Sequence, residues 1–311
     1  MIREKKTISG KLLEADFYPI FADGRKMQSR APKTKPSTAE QERYNQKQAT
    51  KRFIRLVNAN FETGDQFVHV TYDPEHAPFD EEKAKNDMRN FFRRVKTKRA
   101  AELKRVLKLL EAAPDDEILL EKKRKLEESF RYAYVLEEKT YKSGSHKGKS
   151  NYHAHIFMTG GLDRDMVEDL WGLGVRVNAD RLQLERFGPE AAAKYCAKDP
   201  KGKKRFYSSR NLKKPITPKP KDGKITPGYV AKLAQKRVDD AAYWENRYKG
   251  YKFIRCYSRY NEFNGYWYVS VVMYKNGDAP PWDMDDSQER ALSSLVRFSV
   301  WKKLPFFGCG A

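Results

Sequence analysis

The residues best suited to chemistry are His153 and His155, separated by Ala154. On a β-strand alternate side chains share a face, so both imidazoles can reach one metal ion while Ala154 packs inward. Glu137 and Glu138 stand on the neighbouring strand of the same hairpin, and one of the two faces the histidines. Two imidazoles and a carboxylate leave coordination positions for water and a phosphate oxygen, which suits Mg²⁺ or Mn²⁺ acting as a Lewis acid. Glu137, the first carboxylate after the apolar Val135-Leu136, is the expected third ligand, with Glu138 the alternative. Further on, Tyr195 and Lys198 lie three apart in Lys194-Tyr195-Cys196-Ala197-Lys198, on one face of a helix. A tyrosine hydroxyl becomes a usable nucleophile where nearby positive charge favours its phenolate. Lys198 can supply that charge and steady a phosphate under attack. Each pattern alone also has a plain structural explanation: histidines paired by chance, a solvated carboxylate, an amphipathic helix.

These residues need elements to hold them, and the local signals supply several. Gln66 to Tyr72 is a β-branched and aromatic strand stopped by Asp73-Pro74. Asp80 caps a helix running to Glu111, and Pro114-Asp115-Asp116 breaks it and caps a second helix to about Phe130. This Lys-, Arg- and Glu-rich pair reads as a projecting helical hairpin. Arg131–Thr140 and Tyr152–Met158 are strands joined by a Gly- and Lys-rich loop, an antiparallel hairpin carrying Glu137 and both histidines. Leu162–Leu173 is a short helix; Val175-Arg176-Val177 and Leu182-Gln183-Leu184 are strand segments around a turn at Asn178-Ala179-Asp180. A helix from Ala191 to Lys198 carries Tyr195. Pro215–Pro227 reads as a linker, followed by a helix over Val230–Tyr248 and two aromatic strands turning at Asn264-Gly265.

Composition narrows the partners. Lys and Arg number 63 against 42 Asp and Glu, a formal net charge of +21 in 311 residues, which calls for a polyanion, most commonly nucleic acid. No apolar run approaches bilayer length and no secretory h-region follows Met1, so no membrane partner is expected. Cys196, Cys256 and Cys309 are too scattered for a disulfide framework or a structural zinc site, and a reducing cytoplasm is the expected compartment. No phosphate-binding G-x-x-x-x-G-K-[ST] loop occurs, which argues against a fused helicase.

The order strand, helices, strand with Glu137, strand with His153-Ala154-His155, helix with Tyr195 and Lys198 resembles the HUH superfamily of rolling-circle replication initiators from small phages, plasmids and single-stranded DNA viruses. The resemblance covers roughly residues 52–215. It implies an α+β endonuclease fold, a central antiparallel sheet with helices on one face and the metal site on the other. It also implies a nickase that cuts single-stranded origin DNA, possibly at a hairpin. Tyr195 would take the 5′ phosphate, leaving a 3′ hydroxyl for host polymerase and helicase, with religation at termination. By motif, His153, His155 and Glu137 match the metal ligands, Tyr195 the nucleophile and Lys198 the lysine of single-tyrosine members. Asp199 stands where two-tyrosine members carry their second tyrosine. Tyr207, in the basic segment Arg205-Phe206-Tyr207-Ser208-Ser209-Arg210, is the competing nucleophile, and Lys194, Arg205 and Arg210 are the expected DNA contacts. His69 and His76 are left out of the metal site. The expected organisation is a basic flexible arm over 1–50, which either lies along DNA or is a mere tail; a nickase domain over 51–215 with a helical insertion at about 98–130; and an accessory α+β DNA-binding region over 216–311. The rival readings are a relaxase or transposase of the same superfamily and a non-catalytic DNA-binding protein.

Overall fold

The computed structural model describes residues 1–21, 38–144, 146–174, 177–182, 193 and 204–276. Within them the protein is mixed α+β, with two antiparallel five-stranded sheets and six α-helices. In chain order the elements are β1 (Ile2–Ser9), β2 (Leu12–Pro19), α1 (Ala39–Asn60), β3 (Gln66–Thr71), α2 (Glu81–Ala112), α3 (Glu117–Glu127), β4 (Tyr132–Thr140), β5 (Ser150–Met158), α4 (Arg164–Asp169), β6 (Val177–Arg181), β7 (Tyr207–Ser208), β8 (Lys221–Asp222), α5 (Pro227–Lys236), α6 (Ala241–Arg247), β9 (Tyr251–Asn261) and β10 (Tyr266–Lys275).

The sheet that holds the histidines has the order β6-β3-β5-β4-β7. Alternation along its strands divides it into two faces. Val68, Val70, Tyr134, Leu136, Ala154, Ile156 and Met158 point to one face and are buried under α2, α3 and α4. α2 meets them with Ala84, Met88, Phe91, Phe92 and Val95, the stripe that a 3.6-residue period aligns. Its start is fixed by Asp80, whose carboxylate accepts from the Lys83 amide at 2.8 Å, and α3 begins where Asp116 accepts from the amides of Ile118 and Leu119. The base of this helical hairpin is tied down. Arg99 donates to the carbonyls of Thr159, Lys125, Leu126 and Glu128, and buried Lys125 reaches Glu62 at 2.8 Å and Asp65 at 3.3 Å. The outer turns, with Leu107, Leu109 and Ile118, are exposed.

The opposite face carries Phe67, Ala133, Val135 and Phe157, and α1 lies on this end of it through Phe53, Val57 and Phe61. Helices therefore flank both faces. The other side of α1 meets the second sheet, ordered β8-β1-β2-β10-β9, with Lys51 reaching Asp16 at 3.3 Å and Arg55 paired with Glu14. α5 and α6 cover the far face of that sheet, burying Leu233 and Trp244 against Phe17, Val271 and Met273.

Several expectations need correction. Residues 2–19 are no arm: β1 and β2 form a hairpin turning at Gly10 (φ +59°), where a Cβ would lie 2.1 Å from the Asn58 carbonyl oxygen, and β2 pairs with β10. Residues 39–48 are the first turns of α1, so of the expected arm only 22–37 lie outside the described residues. The accessory sheet is thus assembled from both ends of the chain, not from residues 216–311 alone. One strand, β6, runs through the expected turn at Asn178-Ala179-Asp180, and the single helix expected over Val230–Tyr248 is the pair α5 and α6. Within the expected linker, Lys221–Asp222 pairs with β1.

Candidate metal centre

β5 is the middle strand of its sheet, and the register across it assembles the site row by row. His155 stands between His69 on β3 and Val135 on β4; His153 stands between Thr71 and Glu137; Asn151 faces Lys139. All of these residues share the face opposite the helical core, because cross-strand partners point to the same side. Ala154 and its partners Val70 and Leu136 point the other way and are buried. The expected parity of the histidine strand is therefore the observed one.

Register also decides between the two glutamates. Glu137 Oε2 lies 2.8 Å from His153 Nε2 and 3.5 Å from His155 Nε2. Glu138 faces the helical side, where Ser150 Oγ donates to its carboxylate and Tyr152 is its cross-strand neighbour. Hydrogen bonds from His153 and His155 hold the Glu137 carboxyl far below the usual carboxylate range, so it is ionised.

His69, which sequence reasoning left out, belongs to the cluster. Its ring stacks on His155 with centroids 4.5 Å apart and planes 10° from parallel, and it meets His153 edge-on at 5.3 Å. One ligand atom from each of His69, His153 and His155 lies within 4.8 Å of the others. Burial, followed by the two neighbouring imidazoles, pushes His69 down to about 2, and burial lowers His153 as well, against the pull of Glu137. These two imidazoles are neutral at physiological pH, with lone pairs available to a cation. His69 Nε2 is buried without a hydrogen-bond partner among the described residues, the kind of orphaned atom that a bound cation would satisfy. Three imidazole nitrogens and one ionised carboxylate make a donor set that fits a divalent metal. The usable signal was parity: His69 shares its strand face with Phe67, but its position opposite His155 depends on a pairing across 86 positions (155 minus 69).

Two further polar residues extend the face towards the hairpin loop. Lys139 is exposed and two positions beyond Glu137, and its charge acts on His69, His153 and Glu137. Its partner Asn151 has a buried Oδ1 with no hydrogen-bond partner among the described residues.

Tyr195, Lys198 and Lys194 lie outside the described residues, as does the helix expected to carry them, except for Ala193. That residue is buried with Val135, Phe157 and Phe53 on the histidine face. Tyr207 is described, and it points away. It pairs with Tyr134 and stacks on that ring at 5.1 Å, on the helical face, while Phe206 packs on Phe53 across the sheet. Burial, reinforced by the hydrogen bond that the Tyr207 hydroxyl donates to Glu81, pushes this phenol up to about 12. Tyr207 thus lies on the face of the sheet opposite the histidines. Arg205, half-buried, and Arg210, exposed, flank β7 at the edge beside β4. His76 sits in the turn after β3.

No family model, no curated protein and no solved structure matches the chain. Among the described residues no helix is long and apolar enough to cross a membrane.

Proposed function

We propose that the protein is a metal-dependent nickase of single-stranded DNA that initiates rolling-circle replication, with Tyr195 as its nucleophile. The observation that carries this reading is the cluster of His69, His153, His155 and Glu137 on one face of an antiparallel sheet. Its support comes from the +21 charge, which suits a polyanionic substrate.

A divalent cation held by these four residues supplies Lewis-acid polarisation of the scissile phosphate. Three nitrogen donors favour Mn²⁺ over Mg²⁺, which prefers oxygen ligands in an octahedron. The protein's own part is nucleophilic. The Tyr195 phenol gives up its proton to solvent, its oxygen forms a bond to phosphorus as the bond to the 3′ oxygen breaks, and that oxygen takes up a proton from solvent to leave as a 3′ hydroxyl. Lys198 and Lys139 provide positive charge for the phenolate and for the phosphate oxygens as negative charge builds. The phosphotyrosine conserves the energy of the diester, so a 3′ hydroxyl can reverse the step without a nucleotide cofactor. Host polymerase and helicase would use the exposed 3′ end, in the host cytoplasm.

The test is incubation with a library of single-stranded oligonucleotides and Mn²⁺, followed by a denaturing gel. Wild-type protein should give a protein-linked product at the 5′ side of the cut, Tyr195→Phe none, and Tyr207→Phe a product. Absence of any adduct with wild-type protein across metals, or an undiminished one with Tyr195→Phe, would overturn the reading.

A further inference from the structure

The geometry points to a second nucleic-acid surface, a cleft between α1 and the second sheet that holds single-stranded DNA by stacking bases on Tyr257 and gripping phosphates with Lys47 and Arg259. The inference deepens the proposed function and rests on its DNA substrate, but it concerns different residues from the metal centre.

The α1 wall is a stripe at helical spacing: Tyr44, Lys47, Lys51 and Arg55. Lys51 and Arg55 are engaged by Asp16 and Glu14 beneath them, whereas Tyr44 and Lys47 are exposed. The facing wall is β9, the edge strand of that sheet among the described residues, where Arg255, Tyr257 and Arg259 alternate onto the same side. Tyr257 is 56% exposed although it lies in the middle of a strand, and the Arg255 guanidinium sits 5.5 Å from its ring centroid. Tyr268, opposite Arg259, continues the row on β10. Between the walls is a cavity of about 400 Å³ lined by Lys47, Lys51, Arg255, Tyr257 and Ser270.

The chemistry of these walls selects the occupant. Tyrosines spaced among cations offer flat π-faces and positive charge, the combination that binds unpaired bases with a phosphate backbone. A protein partner would call for an exposed contiguous apolar patch; here the apolar lining residues Leu12 and Val272 are buried, Glu14 is held by Arg55, and the exposed ring of Tyr257 stands between Arg255 and Arg259. A space of small-ligand size accepts unstacked bases from one strand and not a duplex.

The experiment measures fluorescence anisotropy of labelled oligothymidylate with the EDTA-treated full-length protein, over a salt series. Tyr257→Ala should weaken binding by roughly 5- to 100-fold, the value of one stacked base, while Tyr257→Phe, which keeps the π-face, should bind like wild type. Lys47→Ala should lower the slope of log affinity against log salt by about 0.7. Equal binding by wild type and Tyr257→Ala, or an equal loss in Tyr257→Ala and Tyr257→Phe, overturns the stacking surface. Adduct formation with Mn²⁺ is scored separately: Tyr257→Ala protein that binds normally and still forms the adduct refutes the surface and spares the nickase, and weakened binding by Tyr257→Ala in a protein that never forms an adduct does the reverse.

Discussion

Replacing Glu137 with glutamine keeps the shape of the side chain and removes its charge, which isolates the carboxylate's role. Its Oε2 lies 2.8 Å and 3.5 Å from the Nε2 atoms of His153 and His155, so among the described residues it is the anion drawn against that imidazole pair. Loss of an outer partner of a metal ligand commonly costs 10- to 100-fold in affinity, and a direct ligand matters more. Glu137→Gln should therefore weaken Mn²⁺ binding by at least about 100-fold, roughly 2.7 kcal/mol. Glu138→Gln should change it by no more than about 2-fold, since that side chain is turned to the other face with Ser150 and Tyr152. Calorimetric titration of Mn²⁺ into EDTA-stripped protein reads both numbers, and thermal melts of the metal-free variants check that each is folded. Weak metal binding by Glu138→Gln with wild-type affinity in Glu137→Gln would mean that the β4–β5 register is displaced by one residue. Wild-type affinity in both would show that no carboxylate of this hairpin is a ligand.

Other perturbations separate the remaining residues. His69→Ala should cost about 10-fold or more in Mn²⁺ affinity and narrow the preference for Mn²⁺ over Mg²⁺, because it removes a nitrogen donor; competition titrations with the two metals read this directly. Lys139→Ala should slow adduct formation by roughly 10-fold while metal affinity stays level or rises, since the exposed ammonium repels a cation as it attracts a phosphate. Single-turnover nicking and calorimetry on the same variant give both quantities. Acid should destabilise the helical hairpin through Glu102, whose carboxyl is held down to about 2 by hydrogen bonds from Arg105 and Lys122. A carboxyl lowered on folding contributes stability that is full above its unfolded value of 4.5 and is lost as the pH falls through about 2. The Tm gap between wild type and Glu102→Gln should therefore be widest above pH 4.5 and close towards pH 2.

What could be read in the sequence was whatever rests on local rules. The parity of Glu137, His153 and His155 follows from period-two alternation in one hairpin, and the α2 and α3 starts follow from Asp80 and Asp116 as caps. What escaped rests on contacts between distant segments. β1 reads Ile-Arg-Glu-Lys-Lys-Thr-Ile-Ser, with little to mark a strand, because its charged residues find partners far along the chain: Arg3 pairs with Asp222 at 2.7 Å, and Glu4 accepts from Arg247 and Tyr248. The first turns of α1 look like a polar arm because this helix lies between two sheets, meeting one through Lys51 and Arg55 and burying Phe53 and Val57 only on the other side. β6 carries Asn178 and Asp180, which favour turns, yet it is held extended by pairing with β3, by Arg164 donating to Asn178, and by Glu168 accepting from the Ala179 amide. His69 escaped for the same reason. A lone histidine on a strand becomes part of a metal centre only through the neighbour that sheet pairing gives it, and that neighbour lies beyond two helices in the chain. The three-imidazole cluster is thus a property of the β3–β5 pairing and not of the His-x-His motif alone.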